Sequence, residues 1–355
     1  MLERKITRAL TVGSLPLGGG APILIQSMTN IPSEDFEGTY RQVSALEEAG
    51  CDIIRLAVPT LDSAGVFAYL KSRGVKAPLV ADIHFDHGIA LASLASGADK
   101  IRINPGNIGS RERVAEVARA AKAQGVPIRI GVNAGSLEDS ILKKYGRPTA
   151  EALVESALYH TSLLEECDFY DICISIKASS VRETILANRL LSSRVNYPIH
   201  LGVTEAGAGR SAVVKSSIGI GTLLAEGIGD TIRVSLTDKP TEEVAFAKEI
   251  LASLGLYRKG KMDIISCPTC GRTKIDLIPL VEEFTARAGA AGLLDRNIKV
   301  ALMGCAVNGP GEARECDIGI AGGKGEGLLF KRGEIVRKVK EEHLVDALIE
   351  EILKM

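Results

Sequence analysis

The chain contains no tryptophan, aromatic residues make up only 4% of its 355 positions, and no histidine lies between His200 and His343. So few flat rings leave little from which to build the stacking platforms that hold single-stranded nucleic acid. Charge of neither sign is in excess: 43 lysines and arginines face 44 aspartates and glutamates, a net charge of -1. No overall field therefore draws the protein to phosphate backbones or anionic membranes, and any anion site must be a local cluster of cations. Apolar runs are short, none approaching the roughly 18 residues of a spanning helix. Residues 1–5 lead into a polar, turn-rich stretch without the core of a signal peptide. A cytoplasmic protein is the expectation. Seven cysteines suit that reducing compartment better than a disulfide framework, because the number is odd and part of the spacing is metal-like.

What is present is a long alternation. Strand-like runs at 23–27, 52–56, 78–82, 100–104, 128–133, 172–177, 199–204 and 231–235 are each followed by a helical pattern. Those patterns fall at about 39–49, 62–73, 88–96, 111–124, 149–167, 180–192, 215–226 and 241–254. Residues 1–20 read as a small hairpin that caps them. Alternation of this kind predicts parallel strands with right-handed crossovers, and eight units predict a closed (β/α)8 TIM barrel. Asp62, Ser180 and Thr241 are helix N-cap types, Glu183 is spaced to complete a capping box with Ser180, and Gly50, Gly74, Gly97 and Gly125 stand where helices should stop. A basic, glycine-containing connection at 254–261 predicts a domain boundary. The expected architecture is α/β, a TIM barrel over 1–256 followed by a small α+β domain over 257–355.

Because side chains alternate across a strand, Arg102 and Asn104 share a face, as do Arg129 and Asn133, Ser175 and Lys177, His200 and Thr204, Arg233 and Ser235, and Asp82 and His84. The opposite faces are isoleucine, leucine and valine, which pack on the helix ring and leave the polar set inside. Arg55, Arg102, Arg129, Lys177 and Arg233 are thus predicted to converge on the barrel mouth. The inward carboxylates are mainly Asp82 and Glu205, too few to balance five cations, so a doubly phosphorylated ligand is expected.

The last third carries thiols in Gly/Pro-rich loops: Cys267-Pro268-Thr269-Cys270-Gly271, and Cys305 within a loop that runs through Asn308 to Glu312. A Cys-x-x-Cys pair presents both sulfurs to one metal centre, with Gly271 expected to let the backbone approach closely. Cys305 is the third candidate. The fourth is open between Cys316, which would close the site, and an oxygen ligand such as Glu312, which would leave it exchangeable. Zinc and an iron–sulfur cluster both fit the three thiolates. A zinc ribbon usually returns with a second Cys-x-x-Cys or a histidine, neither of which follows here, and this favours iron–sulfur. A zinc-bearing barrel lyase or hydrolase acting on a sugar phosphate is the alternative. Cys51, Cys167 and Cys173 read as packing residues.

These loops, together with Gln26-Ser27-Met28-Thr29, the run from Ile101 to Gly109 (IRINPGNIG) and the run from Gly202 to Gly207 (GVTEAG), resemble the 4-hydroxy-3-methylbut-2-enyl diphosphate synthase family nearly end to end. The resemblance implies reductive ring opening and dehydroxylation of 2-C-methyl-D-erythritol 2,4-cyclodiphosphate on the route to isoprenoids. It implies a [4Fe-4S] cluster held by Cys267, Cys270, Cys305 and Glu312, with Cys316 a bystander. Reduced ferredoxin or flavodoxin would be the electron donor, and homodimers would share their active sites, the cluster domain of one chain closing on the barrel of the other. The substrate would then account for the cation ring, with Asn133, Ser175, Thr204 and Ser235 as neutral donors and Asn308 joining from the cluster loop. Glu205, and after it Asp82, are the candidate proton donors. His84 and His200 are either hydrogen-bonding barrel residues or participants in the chemistry. The connection at 254–261 leaves no room for the additional domain that some members carry.

Overall fold

The chain enters through a two-stranded hairpin, β1 (Leu10–Val12) and β2 (Leu15–Leu17), in the computed structural model, which describes residues 3–257, 260–305 and 315–355. Leu10, Val12 and Leu17 of the hairpin pack on Leu24, Ile53, Val80 and Cys173. These lie at or near the starts of four strands, so the hairpin plugs the N-terminal end of the sheet that follows.

That sheet has eight parallel strands: β3 (Leu24–Met28), β4 (Ile53–Ala57), β5 (Leu79–Asp82), β6 (Lys100–Ile103), β7 (Ile128–Asn133), β8 (Ile172–Lys177), β9 (His200–Leu201) and β10 (Thr231–Ile232). β10 pairs back onto β3, and a parallel bridge from Ile174 to Ile199 closes the remaining seam between β8 and β9. The result is the expected (β/α)8 barrel. Around it run α1 (Phe36–Glu48), α2 (Val66–Ser72), α3 (His87–Ala95), α4 (Arg111–Gln124), α5 (Asp139–Tyr145), α6 (Ala150–Glu165), α7 (Val181–Arg194), α8 (Gly209–Ala225) and α9 (Pro240–Ser253). The short α5 precedes α6 where a single helix was expected.

Strands β9 and β10 are shorter than their apolar patterns suggested. Beyond Leu201 the space beside Gly202 is already taken: a Cβ there would lie 2.8 Å from both the Arg233 carbonyl and Lys177 Nζ. Two helix starts also differ from expectation, and at a third the expected N-cap forms without the full capping box. Asp62 opens a 3-10 turn, Asp62–Gly65, and caps nothing. Thr241 lies inside α9, whose first position is Pro240, a residue suited to a turn that needs no N–H donor. Ser180 does accept the Glu183 N–H, but the Glu183 carboxylate accepts from Ala150 N at 3.0 Å instead of returning to Ser180. The box is half-formed because its acid ties α7 to the start of α6. Among the described residues, no helix is long and apolar enough to cross a membrane.

The chain divides into two compact units, Met1–Leu256 and Tyr257–Met355. The second is a five-stranded sheet, β11 (Asp263–Ser266), β12 (Lys299–Met303), β13 (Ile318–Gly322), β14 (Glu326–Lys331) and β15 (Glu334–Lys340), in that order. The first three strands are parallel and the last two antiparallel additions. One face is covered by α10 (Leu277–Ala290) and α11 (Leu344–Leu353). Leu280 and Phe284 of α10 and Leu344 and Leu348 of α11 pack there against Val300, Leu302, Ile318 and Ile320. Their helical spacing puts them on one stripe of each helix, which is why these two helices and not the loops cover the sheet.

Candidate functional site

The cations predicted for the barrel interior are there, and more of them are balanced than expected. Arg55 Nη2 lies 2.7 Å from Asp82 Oδ2, and Arg102 Nη1 lies 3.3 Å from Asp82 Oδ1. Burial alone would raise the Asp82 carboxyl, but the two guanidiniums win and hold it well below the usual carboxylate range. Arg102 also donates to the Gly131 carbonyl at 2.7 Å. It can do so because residue 131 has no side chain: a Cβ there would sit 2.2 Å from Arg102 Nε.

The second interior acid is Glu243, not Glu205. Arg233 donates to Glu243 through Nε and Nη2, both at 3.1 Å, and the same carboxylate accepts from Ser27 Oγ at 2.7 Å and Leu236 N at 3.2 Å. Glu243 comes from the first turn of α9, where the helix dipole favours an anion. It lies on a helix, outside the strand alternation that marks the other inward residues. Glu205 instead is exposed on the loop after β9, with a left-handed φ of 52° that a non-glycine residue adopts only under strain.

Two cations remain without a carboxylate. Among the described residues, Arg129 and Lys177 make no ion pair, and the Nε and Nη1 of Arg129 have no hydrogen-bond partner although the residue is 1% exposed. Burial, and then the neighbouring cations Arg55 and Arg102, push the Arg129 guanidinium well below its ordinary value. Burial, and then Arg129, Arg233 and Arg55, do the same to Lys177. Arg129 thus sits in the field of Arg55 and Arg102, and Lys177 in that of Arg129, Arg233 and Arg55. Such a cluster is costly as it stands and becomes favourable when an anion enters it.

Beside these residues is a cavity of about 440 Å³, lined by His84, Phe85, Arg102, Asn104, Asn107, Asn133, Gly135, Ser136 and Leu137. It sits at the C-terminal ends of β5, β6 and β7, the end at which barrel active sites are built. Arg102 and Asn133 were expected at the mouth. Asn107 and Ser136 lie on loops, outside the alternation that singled out the others. Thr204 and Ser235 are half-buried near the ends of β9 and β10. Ser175 is committed, its hydroxyl donating to the Ile130 carbonyl at 3.2 Å. His84 is largely exposed, with Nε2 3.9 Å from Asp82 Oδ2. His200 is fully buried, its Nδ1 2.6 Å from Thr231 Oγ1, and burial followed by the surrounding cations keeps the ring neutral.

In the second unit, Cys267 follows β11, Cys270 lies in the exposed loop beyond it, and Cys305 follows β12, the parallel neighbour of β11. The Gly304 N–H donates to Cys267 Sγ at 3.3 Å, and Lys274 N donates to the Gly304 carbonyl at 2.8 Å, which ties the two loops together. Backbone and side-chain donors of Arg272 hold the Cys270 thiol below its ordinary value. N–H donors directed at sulfur suit thiolate ligands of an iron–sulfur cluster. The turn between the cysteines passes through Thr269, whose φ is 54°, and among the described residues nothing lies within 4 Å of where a Cβ on Gly271 would point. Cys316 is buried among Ala301, Met303, Ala321 and Phe330. Asn308 and Glu312 lie outside the described residues. Among the described residues, no group of three His, Cys, Asp or Glu side chains is gathered tightly enough to hold a metal ion. Cys51 and Cys173 are buried in the barrel, and burial pushes the Cys51 thiol up to about 12.

The sequence matches two family models, the GcpE TIM-barrel domain over residues 7–248 and the GcpE protein C-terminal domain over residues 263–354. It is 56% identical over 348 residues to a Clostridium perfringens protein named 4-hydroxy-3-methylbut-2-en-1-yl diphosphate synthase (flavodoxin), covering 98% of each chain. A protein of the same name from Clostridium acetobutylicum is 57% identical over 354 residues, covering 100% of each. Among solved structures, a truncated 3-deoxy-D-arabino-heptulosonate 7-phosphate synthase from Thermotoga maritima superposes with a TM-score of 0.50 at 14% identity, over 70% of this chain and 94% of that one, a likeness of barrel fold alone. With both family models matched and more than half of its residues shared with these relatives along its whole length, the chain belongs to the GcpE family of 4-hydroxy-3-methylbut-2-en-1-yl diphosphate synthases.

Proposed function

We propose that this chain is an iron–sulfur oxidoreductase. It opens the ring of 2-C-methyl-D-erythritol 2,4-cyclodiphosphate and removes a hydroxyl with two electrons, giving (E)-4-hydroxy-3-methylbut-2-enyl diphosphate. The observation that carries the reading is the pair of buried cations, Arg129 and Lys177, with no acidic partner among the described residues and three further cations beside them. The diphosphate supplies the missing negative charge. Arg129, Lys177 and Arg102 take its oxygens, while Asp82 fixes Arg55 and Glu243 fixes Arg233 at the rim of the same field. Asn133, Thr204 and Ser235 add neutral donors, and Asn308 is assigned to the substrate from the cluster loop. Ser175 is a weaker member, since its hydroxyl proton is already engaged.

Asp82 is not assigned a proton to give, because two arginines hold it ionised; its part is positioning. Glu205, exposed on the loop after β9, is assigned delivery of the proton to the departing oxygen. Cys267, Cys270 and Cys305 would hold a [4Fe-4S] cluster, with Glu312 as an exchangeable oxygen ligand and Cys316 left to the core. When bound there, such a cluster would supply electrons one at a time for breaking the carbon–oxygen bond. The relatives' names include flavodoxin, and in its reduced form it is the proposed donor; the proposed assembly is a homodimer in which each active site draws on both chains.

Anaerobic purification with iron, sulfide and zinc analysis tests the assignment of the thiols. A brown protein with about four irons per chain is expected; a colourless protein carrying one zinc would return the reading to a zinc-bearing barrel lyase or hydrolase.

A further inference from the structure

Two loops that rim the 440 Å³ cavity are joined through one buried histidine. In the 3-10 turn after β6, Pro105–Asn107, the Gly106 N–H points at His160 Nδ1, 3.0 Å away. On the other side of the ring, His160 Nε2 lies 2.7 Å from Glu138 Oε1 in the loop after β7. His160 comes from α6 and is 1% exposed. Ser156, one turn earlier on α6, donates its hydroxyl to the same Glu138 oxygen at 3.1 Å.

A backbone N–H can only donate, so His160 Nδ1 accepts and carries no proton. The neutral ring then keeps its hydrogen on Nε2 and donates it to the carboxylate. The contact is also close enough to demand glycine, since a Cβ at residue 106 would lie 2.7 Å from His160 Cε1. The cavity wall draws on both of the segments so joined: Asn104 and Asn107 follow β6, while Asn133 is the last residue of β7 and Ser136 lies in the loop after it. A ring that only filled space would need neither polar contact, and a leucine would serve.

We infer that His160 is a positioning residue for the substrate cavity: in its Nε2–H tautomer it clamps the loop after β6 to the loop after β7 through Gly106 and Glu138. The clamp sets the spacing of the asparagine donors without touching the substrate. It rests on the proposed function, because the cavity is taken to bind the cyclic diphosphate.

The test is a split between KM and kcat in four cluster-loaded variants. His160→Leu keeps the bulk and loses both contacts; KM should rise about tenfold while kcat stays within about twofold, as expected for lost positioning of binding groups. Glu138→Ala, a half-exposed loop substitution, should raise KM similarly. Glu138→Gln, which still offers Nε2–H an acceptor, should recover most of the wild-type KM, and His160→Asn, which keeps an acceptor near Gly106 only, should fall between. An unchanged KM in His160→Leu and Glu138→Ala overturns the inference, as does a loss of thermal stability and kcat with KM untouched. If His160→Leu does not fold, the Glu138 pair decides alone. Failure of the wild type to turn over the cyclic diphosphate would defeat the functional reading; wild-type turnover with unshifted variants would defeat only the clamp.

Discussion

Arg55 and Asp82 form a 2.7 Å ion pair inside the barrel, and the free oxygen of the same carboxylate faces Arg102. One acid thus restrains two of the five mouth cations. Its carboxyl is held below the usual range in the folded chain, so as pH falls through about 4 the unfolded chain binds the proton first. Stability from this contact is complete above the unfolded value and is lost as pH drops toward the folded one. Asp82→Asn should cost on the order of 3 kcal/mol at neutral pH by leaving two buried arginines unpaired. The difference from wild type should be flat above about pH 5 and shrink below about pH 4, read by urea unfolding across that range. A difference that grows on acidification would refute the pairing.

Lys100, fully buried at the start of β6 with no hydrogen-bond partner for Nζ among the described residues, titrates in the opposite sense of cost. Burial pushes its ammonium down to about 8. Between about 8 and about 10.5 the unfolded chain holds the proton and the folded chain does not, so stability should rise with pH over that window. Lys100→Met should be more stable than wild type at pH 7, by on the order of 2 kcal/mol, and should lose the alkaline rise. Equal slopes in the two proteins would mean that Lys100 has a partner the ammonium depends on.

Gly131 makes room for Arg102, and a single methyl tests it. Gly131→Ala places a carbon 2.2 Å from Arg102 Nε, while the backbone there needs no left-handed turn. The side chain should be displaced and the fold kept. KM for the cyclic diphosphate should rise at least about tenfold with little change in melting temperature; an unaltered KM would remove Arg102 from the binding set.

The barrel was legible because β-rich and helical patterns alternate and because inward residues on the strands are polar. Arg102, Arg129 and Lys177 stand out by being cations on isoleucine-rich strands. Glu243 and His160 were not legible: both sit on outer helices, and their meaning comes from what they touch across the fold, Arg233 in one case and Gly106 with Glu138 in the other. The same cause left the expected capping box half-formed. Glu183 is spaced correctly for a capping box, but a neighbouring helix offered its N–H first. In the second unit the thiols were marked by spacing, whereas the left-handed turn at Thr269 was not, because threonine seldom adopts that conformation.

The proposed sharing of sites between chains has a direct mixing test. Arg129→Ala should keep the cluster absorbance and lose substrate affinity, and Cys305→Ser should lose cluster and activity together. Co-refolded with iron and sulfide, the two inactive proteins should regain about a quarter of wild-type activity per site if each active site uses the barrel of one chain and the thiols of the other. No recovery would place each active site within a single chain.

The measurement closest to the central claim is turnover of 2-C-methyl-D-erythritol 2,4-cyclodiphosphate by the anaerobically loaded protein with reduced flavodoxin, followed by phosphorus NMR. The two ring phosphates should convert to the paired signals of an open-chain allylic diphosphate, with two electrons consumed per product and no conversion in Cys305→Ser. A loaded, fully folded protein that binds the cyclic diphosphate and leaves it unchanged, or that hydrolyses it without consuming electrons, would contradict the account.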